Sequence, residues 1–485
     1  MECAPLDSAG QAVSIVADAA QQCPMSPQNF RRPNVNPSLT MSIAQYAAST
    51  RAERIPEKVR ERAMHLIFDE MACAQFGRRS IAGELAARYA TSLGGPAEAS
   101  ILGTSHRVPA PQAALANGTA GHGFEVDGAH IIGGHPGATI IQGALAVAER
   151  QHASGAEFLN AVVLGYDIGV RLIGACGTIF GVKNTYHLHA DFMYGIGTAV
   201  AASRILGLDP VRHCHAMALS TFQANGLCAL FAEDRHISKS FCHGQYALAG
   251  VSAALMAATG LEGNEDIIGA QHGLLEAWGI KDGPAILLRG LGEEYSVMGA
   301  NFKFINAGYP IHAAVEAAMK LVHEHNLHAD AIDAVQVGMP ENAMRVVDNR
   351  NMHNICLQDM LSVALVRRGL KMSENYFPAI LGDPAFLRMR PRVNLSVDPQ
   401  LQAEQPIGRG ARVTITTNDG KTFSNKVDAP RGHSSRGGVT WTDLGDKWRG
   451  ELPGCDTDHV VRLAQRLEEL DDVNLLTEAF AGKGS

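Results

Sequence analysis

The sequence predicts a mainly α fold in which a large all-helical domain is interrupted by a smaller α+β domain. Three observations carry this. Alanine- and glycine-rich stretches with helical spacing fill the chain up to about residue 296. Near residue 297 the texture changes to β-branched runs and an Asn-Asp-Gly turn, and after residue 430 helical spacing returns. A chain of 485 residues exceeds what one core supports, so more than one lobe is expected.

Residues 1–38 read as a flexible arm, because "CPMSPQNFRRPNVNPS" carries four prolines and little periodicity. In "IPEKVRERAMHLIFDEMACA", Val59, Ala63, Ile67 and Met71 recur on one helical face, with Pro56 where a first turn tolerates it. Further helices follow in "AGELAARYATSL", "PQAALANGTAGHG", "ATIIQGALAVAERQHASG", "GAEFLNAVVLGYDIGVRLI", "GIGTAVAASRILGL", "DPVRHCHAMALSTFQAN" and "GQYALAGVSAALMAATGL". Small residues on several faces let such helices approach closely, so residues 39–296 form the first part of the helical domain. Within 297–430, "AIDAVQVGMP" reads as a strand, "PIHAAVEAAMKLVHEH" as a helix, and "ARVTITTNDGKTFSNKVDAP" as a hairpin. The tail 431–485, with "DHVVRLAQRLEELDDVNLLTEAF", returns to helix and rejoins the first domain.

Composition narrows the function. Hydrophobic residues make up 46% and charged residues 19%, the balance of a well-buried globular protein. The 41 basic and 49 acidic residues give a net charge of -8 with no long basic run, so nucleic acid is not an expected partner. A few lysines in one cleft can still hold a small anion. The most lipid-like window, "VVLGYDIGVRLIGACGTIFGV", is interrupted by Asp167 and Arg171 and reads as a buried helix, so no membrane partner is expected. Nine scattered cysteines with no CxxC pair suit buried thiols in a reducing compartment. The start "MECAPLDSAG" lacks the pattern of a signal peptide, and a cytoplasmic location is expected.

The stretch "GHGFEVDGAHIIGGHPGA", residues 121–138, interleaves Glu125, Asp127, His130 and His135 with glycines. A zinc site wants a fixed ligand spacing, and two histidines five apart outside a helical pattern fit that poorly. Carboxylates and imidazoles gathered at one wall shift each other's proton affinities, as acid–base chemistry near neutral pH requires. A solvated polar loop fits the same residues. In "NTYHLHADFMYGIGTAVAASRILGL", His187, His189 and Asp191 precede a helix whose positive end keeps an imidazole neutral, although a cap or core role fits as well. Lys239 in "RHISKSFCHG" and Lys303 in "NFKFINAGYPIHA" lie among apolar residues, either snorkelling or holding an anion. "HCH" at 213–215 faces two sides of a helix and carries no catalytic weight.

Together, "AALANGTAGHGFEVDGAH…GHPGATIIQGALAVAE", "KSFCHGQYALAGVSAALMAATGL", "FKFINAGYPIHAAVEA" and "RGH…DLGDKW" resemble the MmgE/PrpD family over about residues 40–480. That family includes 2-methylcitrate dehydratase, cis-aconitate decarboxylase and iminodisuccinate epimerase. The resemblance implies an all-helical domain interrupted by an α+β lid, a homodimer, and no metal or organic cofactor. It places active-site histidines at His135 and at His187 or His189, without choosing between the last two. It places the leading acid at Glu125 and the two lysines at Lys239 and Lys303. Ala129, Met360 and Cys242 depart from residues common in the decarboxylases.

The chemistry so implied is proton transfer at carbon next to a carboxylate, which requires the developing charge to be offset. His135 with His187 or His189 would move the proton, with Lys239 and Lys303 holding substrate carboxylates, the latter delivered by the lid. Glu125, Asp127 and His130 complete the substrate site, the two acids setting imidazole orientation and charge. A cofactor-independent lyase, dehydratase or decarboxylase, on a small di- or tricarboxylate is expected. An epimerase or isomerase on the same site and a non-catalytic carboxylate-binding protein are the alternatives. Lysines in apolar surroundings disfavour the last.

Overall fold

Glycines decide how closely the helices of this protein cross. A Cβ on Gly244, in helix Ser238–Ala258, would stand 2.2 Å from the Leu115 carbonyl oxygen of helix Ala110–Gly121. A Cβ on Gly118 would meet the Gly244 Cα at 2.8 Å, so these two backbones touch. Gly165 and Gly197 make a second such crossing between helices Gly155–Ala175 and Met193–Ile205, where either Cβ would come within 2.6 Å of the other's carbonyl oxygen. Helix Pro136–Gln151 runs through the middle of this packing, with every residue from Pro136 to Glu149 buried.

The computed structural model describes residues 37–481 except 224–225, 371, 373–379, 381 and 405–408. The arm expected at 1–38 lies outside the described residues up to position 36. The predicted mainly α character holds: helices dominate, and the sheets are few and small. Glu57–Gly77 forms the expected helix, with Pro56 at its N-cap and Val59, Ala63, Ile67 and Met71 buried. Gly155–Ala175 is long and apolar enough to cross a membrane, but 94% of its most apolar window is buried inside the protein. Its Asp167 accepts hydrogen bonds from Arg171 at 2.9 Å and from the Ser296 amide at 2.9 Å, which satisfies the charge inside the core.

Residues 307–427 pack around a hydrophobic core of their own. It is built on a four-stranded sheet in the order Val393–Val397, Ile332–Met339, Ala411–Thr417, Thr422–Val427, in which only the first pair is parallel. The predicted hairpin is present, with Gly420 at φ +80 where the turn requires a left-handed residue. Helix His312–Glu324 crosses the hairpin strands and packs on helix Leu357–Arg367. The C-terminal tail joins the helical core through Leu444, Trp448, Val460 and Phe480. It is not one helix: Thr457–Gln465 and Asn474–Ala481 are separated by a 3-10 turn at Leu467–Glu469.

Candidate active site

Helix Ala110–Gly121 ends at His122, and the chain then turns sharply enough that Glu125 adopts φ +57. That left-handed conformation costs a residue with a side chain about 1 kcal/mol or more and persists only when its surroundings enforce it. Two lysines do so. Lys303 Nζ donates to the Glu125 backbone oxygen at 2.9 Å and to Oε2 at 2.7 Å, while Lys239 Nζ donates to Oε1. Burial would push the Glu125 carboxyl up, but the Lys239 and Lys303 charges and His122 outweigh it and hold the group well below the usual carboxylate range.

Asp127, fully buried, lies between two imidazoles. His122 Nδ1 stands 2.9 Å from both its carboxylate oxygens, and His135 Nδ1 stands 3.1 Å from Oδ2. Burial raises the Asp127 carboxyl, and His122, His135 and Lys303 more than reverse this, leaving it well below its ordinary value. His135 Nδ1 also faces the Gly128 carbonyl at 3.1 Å, so that nitrogen carries the proton and Nε2 is left available to a ligand. Gly133 and Gly134, both at positive φ, turn the chain so that His135 becomes the N-cap and Pro136 the first residue of the buried helix. The His135 amide donates to Asp191 Oδ2 at 3.0 Å. Burial pulls the His135 pKa below 6.5, against the pull of Asp127 in the other direction.

Further imidazoles complete the cluster. His189 is buried, lies 3.9 Å from Asp191 Oδ2 and 3.7 Å from Cys242 Sγ, and burial holds it at about 4. The His243 ring centroid is 4.4 Å from that of His122, and its Nδ1 lies 3.3 Å from Thr139 Oγ1. The His236 ring lies 4.9 Å from His122 and faces Asn354 at 3.4 Å. Lys239 Nζ contacts the Nε2 of His122 as well as Glu125. A second charged layer supports the loop: Lys447 pairs with Asp69 at 2.7 Å and reaches the Val126 carbonyl at 3.4 Å, Trp448 Nε1 donates to Asp69 at 2.7 Å, and Glu70 accepts the Gly128 amide at 3.0 Å.

A cavity of about 140 Å³, the size for a small molecule, opens onto this cluster. Glu125, Ala129, His135, His189 and Lys239 form one side. Lys183, Tyr309, Arg350 and Arg409 also line it, with Arg345 at the exposed rim. Lys183 lies 4.7 Å above the Phe231 ring, Arg350 donates to the Phe231 carbonyl, and Arg409 donates to the Ile131 carbonyl at 3.3 Å. The sole acid of the lining among the described residues, Glu125, is already offset by two lysines, so the cavity favours an anion. Ligand atoms of His122, Glu125, Asp127 and His135 lie within 4.8 Å of one another, a spacing a metal ion could use. The ammoniums of Lys303, at 2.7 Å, and of Lys239 both pair with Glu125, so that carboxylate is already offset.

The expected residues thus converge, with four differences. His187 is exposed, caps helix Thr178–Tyr186 in a left-handed conformation and does not line the cavity, whereas His189 is buried and does. Lys303 and Asp127 are fully buried beside Glu125 and His135, and neither lines the cavity. His130 lines the cavity, but its ring nitrogens face backbone groups, Nε2 the Ser296 carbonyl at 2.9 Å and Nδ1 the Ile132 amide at 3.3 Å. Met360 lies in the α+β core, off the cavity, whereas Ala129 lines it.

A helical scaffold that gathers imidazoles, carboxylates and lysines at one small anion-favouring cavity belongs to the class of acid–base enzymes. The chain belongs to the MmgE/PrpD family: the model of the family's N-terminal domain matches residues 41–286 and that of its C-terminal domain residues 306–470. It is an enzyme of the lyase type. It is 23% identical to the cis-aconitate decarboxylase of Homo sapiens over 466 residues, covering 92% of this chain and 95% of that protein. A cis-aconitate decarboxylase-like protein of Aspergillus oryzae is 24% identical, with 92% and 98% covered. The cis-aconitate decarboxylase of Aspergillus terreus is 25% identical, with 82% and 86% covered.

Proposed function

We propose that this protein is a cofactor-independent lyase acting on a small di- or tricarboxylate by moving a proton at carbon next to a carboxylate. The observation that carries the reading is the Asp127–His135 pair, which fixes the proton on Nδ1 and leaves Nε2 for the cavity. Neutral at pH 7, His135 takes or returns a proton at the substrate carbon. In a dehydration the electron pair of the broken C–H bond forms the new double bond as hydroxide leaves. In a decarboxylation the pair of the C–CO2 bond moves into the carbon skeleton as CO2 leaves, and carbon takes the Nε2 proton of the His135 imidazolium, the minor form at pH 7, which solvent then restores. Lys183, Lys239, Arg350 and Arg409 offset the carboxylate charges, and His189, neutral beside Asp191, is the second proton carrier. The relatives that decarboxylate cis-aconitate support a tricarboxylate as substrate.

The test is to incubate the protein in D2O with a panel of di- and tricarboxylates including cis-aconitate, and to follow the mixture by NMR. The expected result is turnover of at least one, read as CO2 release or as loss of water. Deuterium exchange alone, with inversion of a stereocentre, would replace the lyase by an epimerase. Binding without any exchange would leave a carboxylate-binding protein.

A further inference from the structure

Tyr309 sits in a 3-10 turn, Tyr309–Ile311, that follows Gly308 at the start of the α+β region. Its ring is held from two sides, tilted on His312 at 5.4 Å and stacked on His433 at 6.4 Å, so it has little freedom to swing away. The residue is only 7% exposed, yet its hydroxyl has no hydrogen-bond partner among the described residues. A buried hydroxyl left unpaired is destabilising, and tyrosines in cores ordinarily find a partner. This one lines the cavity shared with His135 and His189, and Arg409 lines that cavity beside it. The turn that carries it is anchored to its surroundings, since the Gly308 amide donates to the Asn354 carbonyl at 2.7 Å.

We propose that Tyr309 is a substrate-binding residue whose hydroxyl, alongside the Arg409 charge, holds a carboxylate remote from the carbon at which His135 works. This rests on the carboxylate reading of the cavity and adds to it a specificity: substrates with a second carboxylate are selected over monocarboxylates. A neutral donor and a cation together suit a carboxylate oxygen pair better than either alone. Because the contact is to a remote group, it contributes to binding more than to the chemical step.

The experiment compares wild type with Tyr309→Phe, which removes the hydroxyl and keeps the ring. Calorimetric binding of the saturated tricarboxylate propane-1,2,3-tricarboxylate should weaken about tenfold or more, the usual effect of losing a hydrogen bond to a charged group. The KM for a turned-over substrate should rise by a similar factor, with kcat changed by less than about threefold. The melting temperature of the ligand-free variant should be unchanged or higher, since no partner among the described residues is lost. Unchanged affinity in Tyr309→Phe, as when the hydroxyl meets only water, overturns the proposal even if wild type is an active lyase. Loss of affinity in a protein that turns over none of the carboxylates upholds the anchor while the lyase reading fails. No binding of the tricarboxylate by wild type overturns the anchor, while turnover of a panel carboxylate would still uphold the lyase.

Discussion

Asp127 serves two imidazoles at once, and that sharing makes its charge hard to replace. Asp127→Asn preserves volume but offers one acceptor where two N–H groups need one, so His135 loses its fixed tautomer. Asp127 is also the main group raising the His135 pKa against burial. The variant should therefore titrate His135 at a still lower pH, measured by NMR of labelled histidine, and lose at least about a hundredfold in rate. In wild type the folded pKa of His135 lies below 6.5, so the imidazole is neutral at pH 7 and becomes charged only as the pH falls through the depressed value. A His135 titration at pH 7 or above in the folded protein would contradict this. Glu125, Asp127 and His135 are legible in the sequence because they crowd into one glycine-rich run. His236, His243, Asp69 and Lys447 are not, because each looks alone in its own segment and only the fold brings it in. His122 stands inside the same run as Asp127, and its position just past a helix end was its only signal.

The crossing of helices Ala110–Gly121 and Ser238–Ala258 brings His122, at the end of one, against Lys239, at the start of the other. Gly244→Ala would drive a methyl into the Leu115 carbonyl and Thr119 Oγ1, both at 2.2 Å, and neither backbone can withdraw without moving the site. The expected loss is about 1–3 kcal/mol of stability, the usual range for overpacking. It should be read as a lower melting temperature accompanied by reduced turnover. A variant as stable and active as wild type would show that the crossing does not position the cluster. Helices and the hairpin are legible from spacing and turn chemistry. Strand Val393–Val397 is missed because it is a short edge strand whose burial does not alternate cleanly, so periodicity gives it no mark. The break at Leu467–Glu469 is missed because no glycine or proline announces it.

Across the molecule, one core is built from helices and another from a sheet with helices packed on it, and the cavity is lined from both. Change of texture along the chain shows the two kinds of core, since helical and strand periodicities differ. What texture cannot show is which charges face the cavity. Lys239 and Lys303 look alike in sequence, yet the first lines the cavity and the second is sealed behind Glu125, a distinction set by packing on three segments. The cations lining the cavity include Lys183, Lys239, Arg350 and Arg409, three of which lie outside the expected set. The proposed role of His135, oriented by Asp127, is to move a proton at the carbon of an anion held in this cavity. Its most direct measurement is the initial rate of the best carboxylate from the panel, followed by NMR in D2O, for wild type and His135→Gln. The expected result is a fall of at least roughly a hundredfold with unchanged melting temperature and unchanged tricarboxylate affinity. Equal rates in the two proteins would contradict it.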